Sequence, residues 1–222
     1  MLARCLKDIM NAAASAATTR TRSTRHGARG FTLIELMVAL SILAVTGFFA
    51  IPAMRTMLLN SRLTSLSNDL LASLMNARTE AVKRQSNTVV CAVADPTAAA
   101  PACTYAGGTS WIVFADTNGN WQWDAGEPII ERHPAIDTSI FIRADGQSVT
   151  SFSATGFATP SGLITAMRNI TLCDSRGVVA LAGSSSTARA VTISPTGRAR
   201  VVKSVTDVNA ALVSASGGAH CP

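Results

Sequence analysis

Residues 29–52 read RGFTLIELMVALSILAVTGFFAIP, and this stretch decides the fold. From Phe31 to Ile51 the only ionisable side chain is that of Glu35. As an α-helix these residues extend about 31 Å, which matches the thickness of a bilayer's hydrocarbon core. Length and composition therefore predict a membrane-spanning helix over residues 31–51.

The segment before this helix is basic. Residues 1–30 hold six of the 19 Lys and Arg residues and one of the 13 acidic residues, Asp8. Positive charge beside a span is kept on the cytoplasmic side, so we predict a cytoplasmic basic leader with the rest of the chain facing outward. A secretory signal is cleaved after its apolar core, whereas the Gly30-Phe31 bond precedes it. Cleavage at that bond would leave the span attached.

The stretch RGFTLIELMVAL resembles the class III leader of type IV pilins and type II secretion pseudopilins. The resemblance implies that a prepilin peptidase cleaves after Gly30 and methylates the new N-terminal Phe31. It also implies that Glu35, a carboxylate that is costly inside a membrane, pairs with the terminal amine of a subunit during assembly. The implied partners are prepilin peptidase, other pilins and minor pilins. The implied location is the bacterial inner membrane, as a single-pass precursor with a periplasmic domain, and then a pilus or pseudopilus at the cell surface.

Apolar residues continue beyond Pro52 at helical spacing. From Leu63 to Ala81 they recur at steps of three and four residues, which is typical of an amphipathic helix. We therefore predict one long helix over residues 31–86 whose second half packs on a core. The apolar positions are Met54, Leu58, Leu63, Leu66, Leu70, Leu74, Ala77 and Ala81.

From Thr88 onward the pattern changes to short β-prone runs separated by Gly, Pro, Asn and Asp. The runs predict one or two antiparallel sheets packed on the helix, in one C-terminal β-rich domain of residues 87–222. The fold class is therefore α+β, and the type IV pilin fold implied by the resemblance has the same architecture. The runs are TVVCAVA, SWIVFAD, PIIERH, SIFIR, RNITLC, VVALA, ARAVTIS and ARVVKSV.

Residues 111–130, WIVFADTNGNWQWDAGEPII, resemble a signature of the FimT/GspH family, the branch that contains the minor pilin FimT and the H-type pseudopilin. Oxygen-bearing side chains in this stretch also recur at the offsets of a calcium-binding loop. However, Trp121 stands where such loops need Gly, and a polar hairpin loop accounts for the same residues. We predict no metal site and no cofactor, with calcium as the less favoured alternative. The calcium alternative rests on Asp116, Asn118, Asn120, Asp124 and Glu127.

The tryptophans of this stretch allow two interpretations. Trp111 alternates like a core residue of a strand. Trp121 and Trp123 lie in the loop, where they offer either a stacking platform for nucleic-acid bases or ordinary packing. We favour the packing interpretation and keep base stacking as an alternative.

Four cysteines remain once Cys5 is lost with the leader. An even number of cysteines in an oxidising compartment predicts disulfides. Four cysteines allow three pairings. We favour a bond between Cys91 and Cys103, which closes a short loop, and one between Cys173 and Cys221, which ties down a Gly/Ser/Ala-rich tail.

Charge in the mature chain is uneven. Loss of the leader lowers the formal charge from +6 to +1, yet six basic residues and a single acid, Asp174, lie between Gly146 and Lys203. This half of the domain is suited to an anionic partner.

The segment AVTISPTGRARVV, residues 190–202, predicts a hairpin with a three-residue loop and Gly197 in the left-handed position. In this register Thr192 faces Arg200, and the apolar residues share the opposite, buried face. Arg198 and Arg200 then lie about 6.7 Å apart on the exposed face, where each guanidinium can bind a phosphate. The further residues that we predict to assist them are Arg189 and Lys203.

The tetrapeptide Gly197-Arg198-Ala199-Arg200 resembles the GRxR motif at the C-terminal end of FimT-like minor pilins, which bind DNA during natural transformation. The resemblance implies a minor pilin that assembles into a pilus and binds extracellular DNA non-specifically. The alternative is a structural or assembly-priming minor pilin, or an H-type pseudopilin of a type II secretion system, without DNA binding. Arginines that protect an edge strand from aggregation suit that alternative. We recognise no catalytic motif, so we do not expect an enzyme.

Overall fold

The computed structural model describes residues 31–104, 108–144, 149–159, 169–213 and 221, so Gly30 and the rest of the leader lie outside the described residues. The chain divides into two compact units, Met1–Phe49 and Ala50–Pro222. Within these described residues one long helix, α1, and nine strands precede a short C-terminal helix, α2. Their bounds are α1 Leu33–Arg84, β1 Asn87–Val93, β2 Ser110–Asp116, β3 Ile129–Arg132, β4 Ile140–Ala144, β5 Val149–Phe152, β6 Ala158–Thr159, β7 Asn169–Asp174, β8 Ser185–Ile193, β9 Ala199–Ser204 and α2 Val205–Val213.

The first unit contains the apolar start of α1. The backbone N–H of Glu35 donates a hydrogen bond to the Thr32 hydroxyl at 3.2 Å, which is one half of a capping box. Glu35 also lies in the first helical turn, where the helix dipole favours a negative charge. By length and composition α1 can cross a membrane, because its most apolar stretch has a mean hydropathy of 2.3. The large apolar side chains from Phe31 to Phe49 are all exposed.

In the second unit the buried face of α1 follows the predicted spacing from Leu63 to Ala81. Ser67 and Ser73 are buried among these apolar residues. The prediction is wrong for Met54 and Leu58, which are 65% and 56% exposed. The core of this unit begins at Leu63, and the two preceding turns of α1 contribute no residue to it.

Two antiparallel sheets pack on α1, which confirms the α+β pilin architecture. The first sheet has the strand order β3-β2-β1-β5-β6 and the second has the order β4-β7-β8-β9. One core joins α1 to both sheets, through Val90 and Phe152 of the first and through Leu172 and Val191 of the second. We call the sheet faces towards α1 the inner faces and the opposite ones the outer faces.

The outer faces are covered by different elements. The outer face of the first sheet packs against Trp121 of the loop after β2. Part of the outer face of the second sheet packs against α2, through Val202 of β9 and Val208 of α2. The end of the β8–β9 hairpin lies beyond this cover.

Four elements differ from the prediction. The run VVALA forms only an isolated bridge, Ala180 with Ser186, and the short strands β5 and β6 were not predicted because their Ser and Thr content hides the pattern. Helix α2 was also missed. The signal for it was Ser204, whose hydroxyl accepts the backbone N–H of Asp207 at 3.1 Å as a helix cap.

Both favoured disulfides are present. Cys91 and Cys103 are joined with a Cα–Cα distance of 5.5 Å, and Cys173 and Cys221 with one of 6.0 Å. The second bond spans a sequence separation of 48, which encloses β8, β9 and α2 in one covalent loop.

Candidate functional site

The β8–β9 hairpin has the predicted register. Thr192 pairs with Arg200 across the two strands. The backbone N–H of Ser194 donates to the carbonyl of Arg198 at 2.9 Å and closes the loop. Gly197 has φ +75°, the left-handed conformation expected at the end of a three-residue loop.

This register separates apolar from basic side chains. Val191 and Ile193 point inwards and are buried in the core with α1. Across the hairpin Arg198 and Arg200 alternate with the inward residues Ala199 and Val201, so both arginines lie on the outer face, where they are exposed. The pairing confirms the arrangement that the hydrophobic pattern predicted.

Hydroxyl groups surround the two arginines. The Nε–H of Arg200 donates to the Thr192 hydroxyl at 3.2 Å, which orients the guanidinium along the strand. The hydroxyls of Ser194 and Thr196 are hydrogen-bonded at 2.8 Å beside Arg198. Together these side chains line an open groove of about 680 Å³.

No carboxylate neutralises this groove in the part of the chain that the structure describes. None of the ion pairs seen there includes Arg198 or Arg200. An exposed pair of guanidinium groups on one strand face, with hydroxyl donors beside it, is suited to phosphate oxygens. The geometry therefore gives an anion-binding face.

Helix α1 holds the hairpin loop through Arg78. Its Nε–H donates to the carbonyl of Gly156 at 2.9 Å and its Nη2 donates to the carbonyl of Thr196 at 3.2 Å. A Cβ on Gly197 would lie 2.1 Å from the Gly156 oxygen, so only glycine fits. Sequence reasoning missed Arg78; the available signal was its place four residues after Leu74, at the border of the apolar face.

Arg189 does not join Arg198 and Arg200, contrary to our prediction. It pairs with Leu172, whose side chain lies in the core with α1, so it belongs to the inner face. A bulge in β8 lets its Nη1 donate to the carbonyls of Thr187 and Ala188 at 3.3 and 3.0 Å. Burial, with a smaller contribution from a neighbouring Arg, lowers the pKa of Arg189 from its ordinary value.

Lys203 also falls outside this face. It lies two positions after Val201, which packs on the inner core, and alternation along β9 places both on the same side. Lys203 is exposed there. The outer face of β9 thus presents Arg198 and Arg200 without it.

Asp174, the acid of the basic half, is bonded internally. It is buried, and its carboxylate accepts hydrogen bonds from the Arg176 guanidinium at 2.6–3.1 Å. Arg176 also donates to the Asn60 side chain of α1 at 3.0 Å. Burial alone would raise the pKa of Asp174, but the bonds from Arg176 outweigh burial and hold this pKa below its ordinary value. Asp174 is therefore not available to neutralise the groove.

The loop after β2 uses its oxygens internally. The carboxylate of Asp116 accepts loop backbone N–H groups at 2.7–3.3 Å, and that of Glu127 accepts two more at 2.7 and 3.1 Å. The amides of Asn118 and Asn120 donate to Asp124 at 2.8 and 2.7 Å. Among the described residues no group of three His, Cys, Asp or Glu side chains is arranged to hold a metal. These contacts are those of a polar hairpin loop.

The base-stacking alternative for the loop tryptophans is wrong. Trp121 is 4% exposed and belongs to the core on the outer face of the first sheet. Trp123 packs against the same cluster, and its indole N–H donates to the Glu127 carbonyl at 3.0 Å. Trp111 is buried as predicted and donates its indole N–H to Ser73 at 2.9 Å.

The comparisons with known proteins agree with the pilin resemblance. The family model described as "Type II transport protein GspH" matches residues 66–197, and that of the prokaryotic N-terminal methylation motif matches residues 25–51. No curated protein matches the chain.

Two crystal structures of the type IV minor pilin FimU of Pseudomonas aeruginosa, both 18% identical in sequence, are similar. They cover 73% and 72% of this chain and 96% and 100% of their own, with TM-scores of 0.46 and 0.40. The GspH model spans more than half of the chain, so the protein belongs to the GspH family, and it carries a prokaryotic N-terminal methylation motif.

Proposed function

We propose that this protein is a minor pilin that assembles into a type IV pilus and binds extracellular DNA non-specifically for natural transformation. Membership of the GspH family and the N-terminal methylation motif imply assembly with other pilins and processing by prepilin peptidase. Binding of DNA goes beyond what family membership implies. A single observation carries it: Arg198 and Arg200 lie exposed on one strand face in a groove lined by hydroxyl groups.

The expected binding mode follows from the chemistry of this face. Guanidinium and hydroxyl groups recognise phosphate oxygens, which carry no sequence information. If each arginine neutralises one phosphate, log K falls with log salt with a slope of about −2. Contact by one subunit is then in the range of non-specific binding, roughly 10⁻⁴ to 10⁻⁶ M.

The N-terminal residues belong to the assembly part of the proposal. We propose cleavage after Gly30, methylation of Phe31 and pairing of Glu35 with the terminal amine of a neighbouring subunit. Before assembly the apolar start of α1 anchors the precursor in the inner membrane with its C-terminal domain in the periplasm. The exposure of Phe31 and the capped first turn containing Glu35 are compatible with these roles.

A DNA titration tests the proposal. The mature chain in non-ionic detergent micelles is titrated into labelled duplexes of two unrelated sequences at 50 and 200 mM salt. The wild type should bind both duplexes alike and more weakly at high salt. The Arg198→Ala/Arg200→Ala variant should lose at least tenfold in affinity, because both phosphate contacts are removed.

The matched control is Arg55→Ala/Arg62→Ala, which also removes two positive charges. Arg62 precedes Arg78 by 16 residues, about 24 Å along α1, so these charges lie away from the hairpin. The control should retain affinity within about twofold. Equal losses of DNA affinity in the two double variants would show that affinity depends on net charge alone, and would contradict a binding site at the hairpin.

The second candidate is a structural subunit without DNA binding, either an assembly-priming minor pilin or an H-type pseudopilin. The position of β9 at the edge of the second sheet favours it, because charged edge residues prevent strand-to-strand association. Absence of wild-type DNA binding, with aggregation of the double variant, would establish this role instead.

A further inference from the structure

Two hairpin loops of the molecule are built alike. Residues 153–157 read SATGF and residues 194–198 read SPTGR. In each loop the first Ser donates its N–H to the fifth carbonyl at 2.9 Å, and the Gly donates its N–H to the Ser carbonyl at 2.8 Å. The Ser and Thr hydroxyls bond at 2.9 and 2.8 Å, and the Gly φ angles are +79° and +75°. The two loops therefore have matching hydrogen bonds and matching glycine conformations.

The two loops also touch each other. The N–H of Ala158 donates to the carbonyl of Pro195 at 3.2 Å, and Arg78 bridges the carbonyls of Gly156 and Thr196. One loop ends the β5–β6 hairpin of the first sheet and the other ends the β8–β9 hairpin of the second. The two sheets therefore contact each other at the ends of these hairpins.

Equivalent positions in the two loops present different side chains to solvent. The residue after the glycine is Arg198 in one loop and Phe157 in the other. Phe152 pairs with Ala158 and is buried in the core with α1, so alternation places Phe157 on the outer face. Phe157 is 53% exposed, and no other aromatic side chain is exposed among the described residues from 50 onward.

We infer that Phe157 is a stacking platform for a base of single-stranded DNA whose phosphates are bound by Arg198 and Arg200. The inference rests on the proposed function and specifies its ligand. A phenyl ring offers no hydrogen bond but stacks on any base, contributing about 1–3 kcal/mol per base. A duplex hides its base faces, so the platform distinguishes single strands from duplexes.

A single exposed aromatic residue is common on protein surfaces. What sets Phe157 apart is its placement by a loop that contacts the arginine loop, with both side chains on outer faces. Basic groups interleaved with an aromatic ring are the arrangement that single-strand binding requires.

The test compares probes that differ only in their bases. The mature chain in non-ionic micelles is titrated with labelled oligothymidylate and with an abasic oligonucleotide of the same length. The wild type should bind oligothymidylate about tenfold more tightly, as expected for one stacked base. Phe157→Ala should remove this preference without changing the salt slope, whereas Phe157→Tyr should retain it.

Two further variants complete the test. Val179→Ala removes another apolar side chain, which is 49% exposed, and should leave the affinities for both probes unchanged. Arg198→Ala/Arg200→Ala should weaken binding of both probes alike. Equal binding of the two probes by the wild type overturns the inference and leaves the proposed function standing. If the wild type binds neither probe nor duplex DNA, both the inference and the proposed function are overturned.

Discussion

Two pairs of arginines in the C-terminal half of the chain differ in whether their guanidinium groups are bonded within the protein. Arg176 and Arg189 lie at the inner side of the second sheet, with guanidinium groups bonded to Asp174, Asn60 and strand carbonyls. Arg198 and Arg200 lie on the outer face, where no ion pair of the described residues includes them. Arg176 joins the sheet to the helix and Arg189 bonds carbonyls of its own strand, whereas Arg198 and Arg200 are open to a ligand.

The difference shows that a count of positive charge does not locate a binding site. Six basic residues cluster in the sequence of this half. The side of the sheet and the available internal acceptors decide which of them remain accessible. Asp174, the acid within this cluster, bonds the inner arginine, so the outer face keeps its charge.

The largest expected effect is that of Arg176→Met. The side chain of Asp174 is 2% exposed, and the variant leaves its carboxylate without the guanidinium. Breaking a buried pair in this way should lower the free energy of unfolding by about 3 kcal/mol. Urea unfolding followed by tryptophan fluorescence measures it, because all three tryptophans lie after residue 110. Duplex DNA affinity should change less than twofold.

Arg62→Met is the matched control for that variant. Arg62 pairs with Asp137 at 3.0 Å, but these side chains are 57% and 46% exposed. Solvent screens such a pair, so the loss should stay below about 1 kcal/mol. Equal losses for the two variants would show that burial does not strengthen the contribution of the Arg176–Asp174 pair.

Gly197→Ala should affect both stability and ligand binding. The new Cβ would lie 2.1 Å from the Gly156 oxygen at a φ of +75°, so the loop must move. We expect a loss of about 2–3 kcal/mol of unfolding free energy and at least fivefold in DNA affinity. Gly183→Ala has the same φ but no atom within 4 Å of its Cβ, and should lose about 1 kcal/mol only. A Gly197 variant no worse than this control would show that the close contact is not required.

Acidification should weaken the ion pair between Arg176 and Asp174. The pKa of Asp174 is held below its ordinary value of 3.8, so the native state binds fewer protons there than the unfolded state. The stabilisation is fully present above the unfolded pKa and is lost as the pH falls through the lower, folded pKa. The melting temperature should therefore fall more steeply with decreasing pH, below about pH 4, in the wild type than in Asp174→Asn. Parallel curves would show that this carboxyl contributes nothing to the acid transition.

Arg78→Met should increase the mobility of the hairpin loop that carries Arg198, while leaving the outer arginines themselves unchanged. The variant loses hydrogen bonds to the carbonyls of Gly156 and Thr196, which should lower the unfolding free energy by about 1–2 kcal/mol. Amide hydrogen exchange of Gly197 should accelerate, and DNA affinity should fall about threefold. Arg84→Met, on the exposed last turn of α1, is the control and should leave that exchange rate unchanged.

The smallest effect is expected for Lys203→Ala. Lys203 alternates onto the inner side of β9, so its removal should lower DNA affinity by less than twofold, whereas Arg198→Ala alone should lower it about fivefold. Anisotropy titrations at one salt concentration measure both values. Similar losses would place Lys203 with the outer arginines and contradict the strand register.

Local patterns predicted much of this structure. The helical spacing after Leu63 and the alternation around Ile193 each have one arrangement that buries the apolar residues, so helix face and hairpin register followed from the sequence. The favoured disulfides are also present.

Other features depend on contacts between distant segments. The hydrogen bonds of Arg189 to strand carbonyls form where the register of β8 against β9 shifts, which the sequence of β8 alone does not reveal. Arg78 acquires its role only where two loops meet, and Phe157 gains significance only beside Arg198. Periodicity within one segment contains no information on such meetings.

The bond between Cys173 and Cys221 has a mechanical consequence. A load applied at the β8–β9 hairpin enters a covalently closed ring of sequence separation 48. Peeling of β9 can lengthen the chain only inside this ring, and tension then passes through the sulfur atoms to β7 at the centre of the sheet. The hairpin is thus joined to β7 by two covalent paths, and a reducing agent should lower the force needed to pull it out because it leaves only one of them.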